Sequence, residues 1–428
     1  MSGFICKPVQ NKLQGEIAIP GDKSISHRAI MFGSLAKGKT TIDNFLPGED
    51  CLHTIDIFRH FGVNIQRDET KVTIESKGYE EFIEPKVPLY FGNSGTTARL
   101  MFGIIPALPF HSVMHGDPHL TIRPMDRVVN PLREMGASID GRHGGSYLPI
   151  ATRGKTLKGI HYELPVKSAQ VKSAVLIAGL FAEGKTTVVE NTTTRNHTEN
   201  MLKSFGADLS IKGNDITITN KNKLQAHDIT VPGDISSAAF FLVAAAIVPN
   251  SQVTLKNVGL NETRTGIIDV MKQMGADIDI SNLRESGGEA LGDITVTQTQ
   301  LNGTEVSGDL IPRLIDEIPI IALLATQAKG KTIIKDAEEL RVKETDRIKA
   351  VVHNLKALGA SIEETDDGMI IDGSDHLTGG SVKSYSDHRI AMMNVIASMI
   401  ANDEVKIDEI KSIAISYPNF FDHVMQIQ

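Results

Sequence analysis

Tryptophan is absent from the 428 residues, and aromatic side chains make up only 5% of them. Base stacking on aromatic platforms therefore has little to work with. Cysteine is almost missing as well. Cys6 and Cys51 have no metal-ligand spacing and make no disulfide framework, which excludes a structural zinc site and a stapled extracellular scaffold. Positive charge is not in excess. The 44 Lys and Arg face 52 Asp and Glu, a net charge of −8, which argues against a general nucleic-acid or membrane-surface field. The longest apolar stretch, Ala238 to Pro249, falls well short of the roughly 20 residues a bilayer span requires. The opening MSGFICKPVQNKLQGE shows no signal or transit pattern, so a soluble cytoplasmic protein is expected.

What the chain does have is repetition. With 41% apolar residues over 428 positions, two packed domains are the default. A strand-like phrase after a small or charged turn appears as AKGKTTIDN at 36–44, AEGKTTVVE at 182–190 and AKGKTIIKD at 328–336. Weaker copies stand at 111–117, 250–258 and 402–410. Five of these lead into an amphipathic helix that ends in glycine, at Gly62, Gly136, Gly206, Gly275 and Gly359, where a left-handed C-cap suits glycine. Ile267, Val270, Met271 and Met274 form one apolar stripe; Ile348, Val351, Val352 and Leu355 form another. Ile-Pro-Gly-Asp at 19–22 recurs half the chain later as Val-Pro-Gly-Asp at 231–234. The pattern predicts two similar halves, each of three α/β units, with a ligand cleft between two lobes.

Cations sit where helices do not favour them. A helix start carries partial positive charge, so Lys and Arg are disfavoured in its first turn. Yet Lys23 and Arg28, Arg99, Arg341, Lys343 and Arg347, and Arg389 lie at or near predicted starts. A bound anion that uses both the dipole and the side chains would explain this. A lone cation of this kind reads more simply as a solvated surface charge; four cation-bearing starts point to one strongly anionic site. Arg123 lies between a short apolar strand reading, Leu120–Ile122, and Pro124. Ser168 and Gln170 open a buried-looking helix, where Ser168 alone reads as an N-cap. GNSGTT at 92–97 resembles a phosphate-cradling loop but has neither Walker A nor dinucleotide spacing. Asp316 and Glu344 are acid–base candidates. N-capping is an alternative for Asp316 or Glu317, and simple pairing with Lys343 or Arg347 is one for Glu344.

GDKSISHRA, GNSGTTARL, RPMDR, SAQVKSA, RVKETDR, SDHRIAM and SYPNF follow in this order. Together they resemble the 5-enolpyruvylshikimate-3-phosphate synthases across essentially the whole chain. SAQVK, RNHTE at 195–199 and NETR at 261–264 resemble the bacterial class II pattern. The resemblance implies an α/β enolpyruvyl transferase fold, an inside-out α/β barrel of two domains, each with three βαβαββ units. One domain would be 21–231, the other 1–20 with 232–428, with the active site in the cleft. It implies transfer of the enolpyruvyl group of phosphoenolpyruvate to the 5-hydroxyl of shikimate 3-phosphate, with release of phosphate and no metal or organic cofactor. Lys23 would lie between both substrates. Ser24, Arg28, Ser168, Gln170, Arg195, Asp316 and Lys343 would hold shikimate 3-phosphate. The backbone at Gly95, with Lys23, Arg123, Gln170, Arg347 and Arg389, would hold phosphoenolpyruvate. Asp316 would take the 5-hydroxyl proton; Glu344, with Lys23, would handle the proton at the methylene carbon. A monomer inhibited by glyphosate is implied, because Gly95 is retained.

The chain departs from the family pattern in three places. Ile415 stands where a lysine often precedes the C-terminal Ser-Tyr-Pro phrase, and Lys411 is off position. Ala169 replaces a common second serine, and Arg195 replaces a tyrosine. Two other readings remain at this point. A UDP-N-acetylglucosamine enolpyruvyl transferase would usually carry a loop cysteine, and only Asp117 could substitute for it here. A non-catalytic anion-binding protein would leave Asp316, Glu344 and Lys23 idle.

Overall fold

The computed structural model describes residues 3–373 and 376–428. The chain divides into two compact units. One comprises Gly21–Pro232 with Glu285–Glu289; the other comprises Met1–Pro20, Gly233–Arg284 and Ala290–Gln428. The segment Glu285–Glu289 thus departs from an unbroken 232–428 domain. Within its unit, Ser286 Oγ accepts a hydrogen bond from Thr230 N at 2.8 Å, and Glu289 Oε1 lies 2.9 Å from His197 Nδ1.

Among the described residues the strands form six sheets, three in each unit. The repeated phrases supply a strand to each: Lys37–Asp43, His111–His115, Lys185–Val189, Gln252–Gly259, Lys331–Ile334 and Val405–Ile407. Four of them pair in parallel with the strand before their own first helix, the other two with each other's, and all six pair antiparallel with a third strand. This is a βαβαββ unit. The pieces are exchanged at the crossings. Gln14–Ala18 completes the sheet of Gln252–Gly259, and Ile229–Thr230 completes that of Lys37–Asp43. The sixth sheet has three strands, and Phe4–Cys6 takes the antiparallel place beside Val405–Ile407.

The second helix of five units ends the same way. After Gly266–Gln273, Gly275 takes φ 91°, its N–H donates to Lys272 O at 3.0 Å, and Ala276 N donates to Met271 O at 2.9 Å. That is a Schellman motif, and the apolar residue after each glycine turns back into the core. The predicted stripes Ile267–Met274 and Ile348–Leu355 are buried.

The first helices are buried on nearly every side and help form the cores of their units. Ile235–Ile247 is buried along its whole length, and Lys23–Leu35 from Ile25 onward. Each fully buried Leu, Ile or Phe contributes about 1.5–3 kcal/mol by leaving water. Polar side chains concentrate at the starts of these helices, and there the candidate residues stand. Among the described residues no helix is long and apolar enough to cross a membrane.

Gly206 isolates the cost of the left-handed cap. It has φ 85°, and an added Cβ would meet only Gln225 Cγ, at 4.0 Å. Gly206→Ala should lower unfolding free energy by about 1–2 kcal/mol through backbone strain alone, read as a lower urea midpoint at unchanged slope.

Candidate active site

In the unit Gly21–Pro232, Lys23 is the first residue of Lys23–Leu35, which is capped by Asp22 Oδ1 accepting from Ile25 N at 2.9 Å. Its ammonium pairs with Asp50. Burial works to raise the Asp50 carboxyl, but Lys23 outweighs it and the carboxyl lies below its ordinary value. Arg28 is one turn further in and buried. Its Nε donates to Thr198 Oγ1 at 2.7 Å, Nη2 to Ser173 Oγ at 3.0 Å and Nη1 to Ser24 O at 3.0 Å. These partners are neutral. Burial depresses the guanidinium to about 10 even with Glu199 nearby, so an incoming anion would meet a cation that has not been neutralised. Lys172 contrasts with it. Its Nζ is saturated by Glu190 at 2.9 Å and Glu199 at 2.7 Å, a structural ion triad.

Ser94 Oγ caps the short helix Gly95–Met101 by accepting from Thr97 N at 3.0 Å. Arg99 Nη1 donates to Gln170 Oε1 at 2.6 Å, and Gln170 Nε2 donates to Thr96 Oγ1 at 3.1 Å. Burial, then Arg123 and Arg127, depress Arg99 to about 10. A Cβ on Gly95 would stand 3.2 Å from Arg99 Nη1 and 3.4 Å from Arg123 Nη1. Two guanidinium groups therefore close over the same glycine. The residues before Arg123 are a turn, not the strand read from the sequence. Asp117 Oδ1 accepts from Leu120 N at 2.7 Å and its carbonyl accepts from Thr121 N at 3.0 Å, so a side-chain turn overrides the apolar alternation. Ser168 caps Ala169–Gly179, and Gln170 lies in its first turn. Arg195 is half-buried, just before His197–Ser204.

The other unit surrounds its cations with carboxylates. Arg347 opens Arg347–Ala357 and is 1% exposed. Its Nε donates to Asp387 Oδ2 at 2.8 Å, Nη2 to Glu344 Oε2 at 2.6 Å and Nη1 to Asp316 Oδ1 at 3.3 Å. Burial works against its charge, but Asp387, Glu344 and Asp316 together raise it above its ordinary value. Asp387 also caps His388–Ile400, with Oδ1 accepting from Arg389 N at 2.9 Å. Arg389 Nη1 donates to Asp316 O at 3.3 Å. Partial burial would raise Glu344; Arg347, then Arg389, bring its carboxyl below the ordinary value. Glu317 makes no side-chain cap for Ile318–Thr326. Lys343 pairs with Glu339. Arg341 lies in the turn Glu338–Val342, bound to Asp346 and Glu364 at 2.9 Å each, and is a structural cation.

The sequence matches, over residues 8–424, the family described as EPSP synthase (3-phosphoshikimate 1-carboxyvinyltransferase). The 3-phosphoshikimate 1-carboxyvinyltransferase of Oceanobacillus iheyensis is 57% identical over 427 residues, 100% of both chains. That of Bacillus cytotoxicus is 58% identical over 415 residues, 97% of this chain and 98% of its own. A solved EPSP synthase from Acinetobacter baumannii matches with a TM-score of 0.95 at 43% identity, covering 100% of this chain and 98% of that one. The chain belongs to the EPSP synthase family. Its fold is the two-domain α/β fold of that family.

Sequence reasoning missed the groups that hold the expected EPSP synthase residues. Asp387, Thr198 and Ser173 each touch one of them, Glu317, read only as a possible cap, lies 4.0 Å from Arg389, and Arg264 reaches Glu317 through Ser236. The RNHTE and NETR phrases were a signal for two of these. Arg99, noted only as a cation near a helix start, orients Gln170. Among the described residues no His, Cys, Asp and Glu cluster could hold a metal.

His27 offers a pH test beside Lys23. Its Nδ1 meets Thr54 Oγ1 at 2.8 Å, while Nε2 is buried without a partner. Burial, then Lys23, lower its value from 6.5 to about 3. The unfolded chain therefore binds a proton that the folded chain refuses, and stability is lost as pH falls below 6.5. Relative to His27→Asn, the parent should lose up to about 1.4 kcal/mol more per pH unit in that window, measured by urea unfolding. Parallel curves would refute the neutral buried imidazole.

Proposed function

We infer that this chain transfers the enolpyruvyl group of phosphoenolpyruvate to the 5-hydroxyl of shikimate 3-phosphate and releases phosphate. The match over residues 8–424 and 57% identity across a whole relative carry this reading. The site chemistry supports it. Two substrates rich in phosphate and carboxylate need several preorganised cations, and these are gathered at helix starts in both units.

The residue roles follow from the resemblance and from the charge states. Ser24, Arg28, Ser168, Gln170, Arg195 and Lys343 hold shikimate 3-phosphate. Gly95 through its backbone, with Arg123, Gln170, Arg347 and Arg389, holds phosphoenolpyruvate, and Lys23 serves both. Asp316 accepts the 5-hydroxyl proton as that oxygen bonds to the enol carbon. The methylene carbon gains a proton from Glu344 or Lys23, giving a tetrahedral phosphate adduct. A methyl proton then leaves, the carbon–oxygen bond to phosphate breaks and the double bond returns. Glu344 rests ionised because Arg347 and Arg389 lower it. An anionic substrate that draws on those two cations raises it toward the protonated form, so proton delivery is tied to substrate occupancy. The same reading takes the protein to be a cytoplasmic monomer inhibited by glyphosate.

Phosphate release that requires both substrates, with the enolpyruvyl product identified by mass, tests the reaction. Turnover with UDP-N-acetylglucosamine instead would overturn the acceptor. Asp316→Asn should cut turnover by about 10²–10⁴-fold while calorimetric affinity for shikimate 3-phosphate changes little; surviving turnover would remove Asp316 as the base. Gly95→Ala places a methyl 3.2 Å from Arg99 Nη1. It should weaken glyphosate inhibition by about tenfold or more, equivalent to 1.4 kcal/mol. Unchanged inhibition would separate glyphosate from this spot.

A further inference from the structure

The residue after Asp316 has no place in the scheme above, yet it lies in the middle of the buried network of its unit. Glu317 is 1% exposed. Its Oε1 accepts a hydrogen bond from the Ser236 hydroxyl. Ser236 Oγ in turn accepts from Arg264 Nη2 at 2.7 Å, and that guanidinium lies 3.3 Å from Asp234. Arg264 closes the NETR phrase that the reaction scheme left unused. On the other side, Arg389 Nη1 stands 4.0 Å from Glu317 Oε1, and Arg389 Nη2 stands 3.8 Å from Asp316 Oδ2. Glu317 Oε2 is buried and has no hydrogen-bond partner.

This is a poor setting for a carboxylate. An ionised, buried carboxyl needs donors on both oxygens, and leaving one bare is costly. Arg264 is hydrogen-bonded to Ser236 and not to Glu317 itself, so it favours the carboxylate only across the intervening space. Arg389 stands at the outer limit of an ion pair and is shared with Asp316. A second negative charge next to Asp316 would add repulsion. A neutral carboxyl fits better, because its carbonyl oxygen takes the Ser236 hydrogen bond and the oxygen left bare carries no charge.

We propose that Glu317 is a positioning residue kept as a neutral acid, which leaves the charge of Arg389 to Asp316 and to phosphoenolpyruvate. This rests on the functional reading given to Asp316 and Arg389. When Glu317 loses its proton to solvent, the new carboxylate competes with phosphoenolpyruvate for Arg389. The groups facing it are Arg264 and Asp234 on one side and Asp316, Arg389 and, across Asp316, Arg347 on the other. Burial, then Asp316, raise the Glu317 carboxyl against Arg264, Arg389 and Ser236, and the balance is upward.

The test measures KM for phosphoenolpyruvate and kcat from roughly pH 6 to pH 10, in the parent chain and in Glu317→Gln. Parent phosphate release is measured first; its absence overturns the functional reading and with it this role. In an active parent, KM should rise toward about tenfold per pH unit once Glu317 ionises, with a much smaller change in kcat. Glu317→Gln cannot ionise and should lack that rise. Ser236→Ala removes a donor that favours the carboxylate, so the rise should move to higher pH. Parallel KM profiles in all three would overturn the role of Glu317 alone. A second readout does not depend on turnover. A carboxyl raised in the folded state makes the native chain hold more protons, so stability falls as pH climbs above the ordinary value of 4.5. Glu317→Gln should therefore gain thermal stability over the parent as pH rises from there, and equal pH dependence would overturn the neutral acid.

Discussion

A cation at a helix N-terminus is repelled by the helix dipole and by any other cation brought beside it. The chain accepts this cost at Lys23, Arg347 and Arg389 in first turns, while Arg28 lies one turn further in and Arg99 in the last turn of its short helix. Much of the local structure serves to hold these groups in place. Caps at Asp22, Ser94, Ser168, Asp346 and Asp387 satisfy helix N–H groups, so the helices start where they do. Apolar helix bodies anchor those starts in two dense cores. Within each unit the candidate residues are therefore a polar end to an apolar core, held as rigidly as the core behind them.

The two units handle the cost differently. In Gly21–Pro232, Arg28 is held by hydroxyls and a carbonyl, and Arg99 by a carboxamide. These partners orient a guanidinium without cancelling its charge, so burial and like charge depress both to about 10. In the other unit Arg347 is clasped by Asp387, Glu344 and Asp316. Carboxylates that touch a cation can exchange that contact for a proton when an anion arrives, which suits acid–base work. Hydroxyl-held arginines suit anion binding.

Buried polar groups away from the reacting positions explain phrases that otherwise look arbitrary. Thr198 of RNHTE steadies Arg28, and Glu199 saturates Lys172. Arg264 of NETR reaches Ser236 and through it Glu317. A buried charge left without a partner costs several kcal/mol, so these phrases stand or fall with the residues they support. The hairpin tip Glu285–Glu289 extends the same logic, with Glu289 beside His197 and Asn200 in the unit it joins.

By itself the sequence determined the repeat. Strand phrases, helix stripes and five capping glycines are local, and local periodicity and a positive φ are legible without a fold. The cations at helix starts were legible too, because they break a local rule. Tertiary structure decided what each charge meets. Arg341 and Arg347 look alike in RVKETDR, yet one lies in a surface turn with Asp346 and Glu364 and the other is buried against Asp316 and Asp387. Leu120–Ile122 alternates like a strand, and the Asp117 side chain folds it into a turn. The exchange of Gln14–Ala18 and Ile229–Thr230 between distant sheets leaves no local mark either. Partners far apart in sequence become neighbours only through packing, and burial among those neighbours sets their charge.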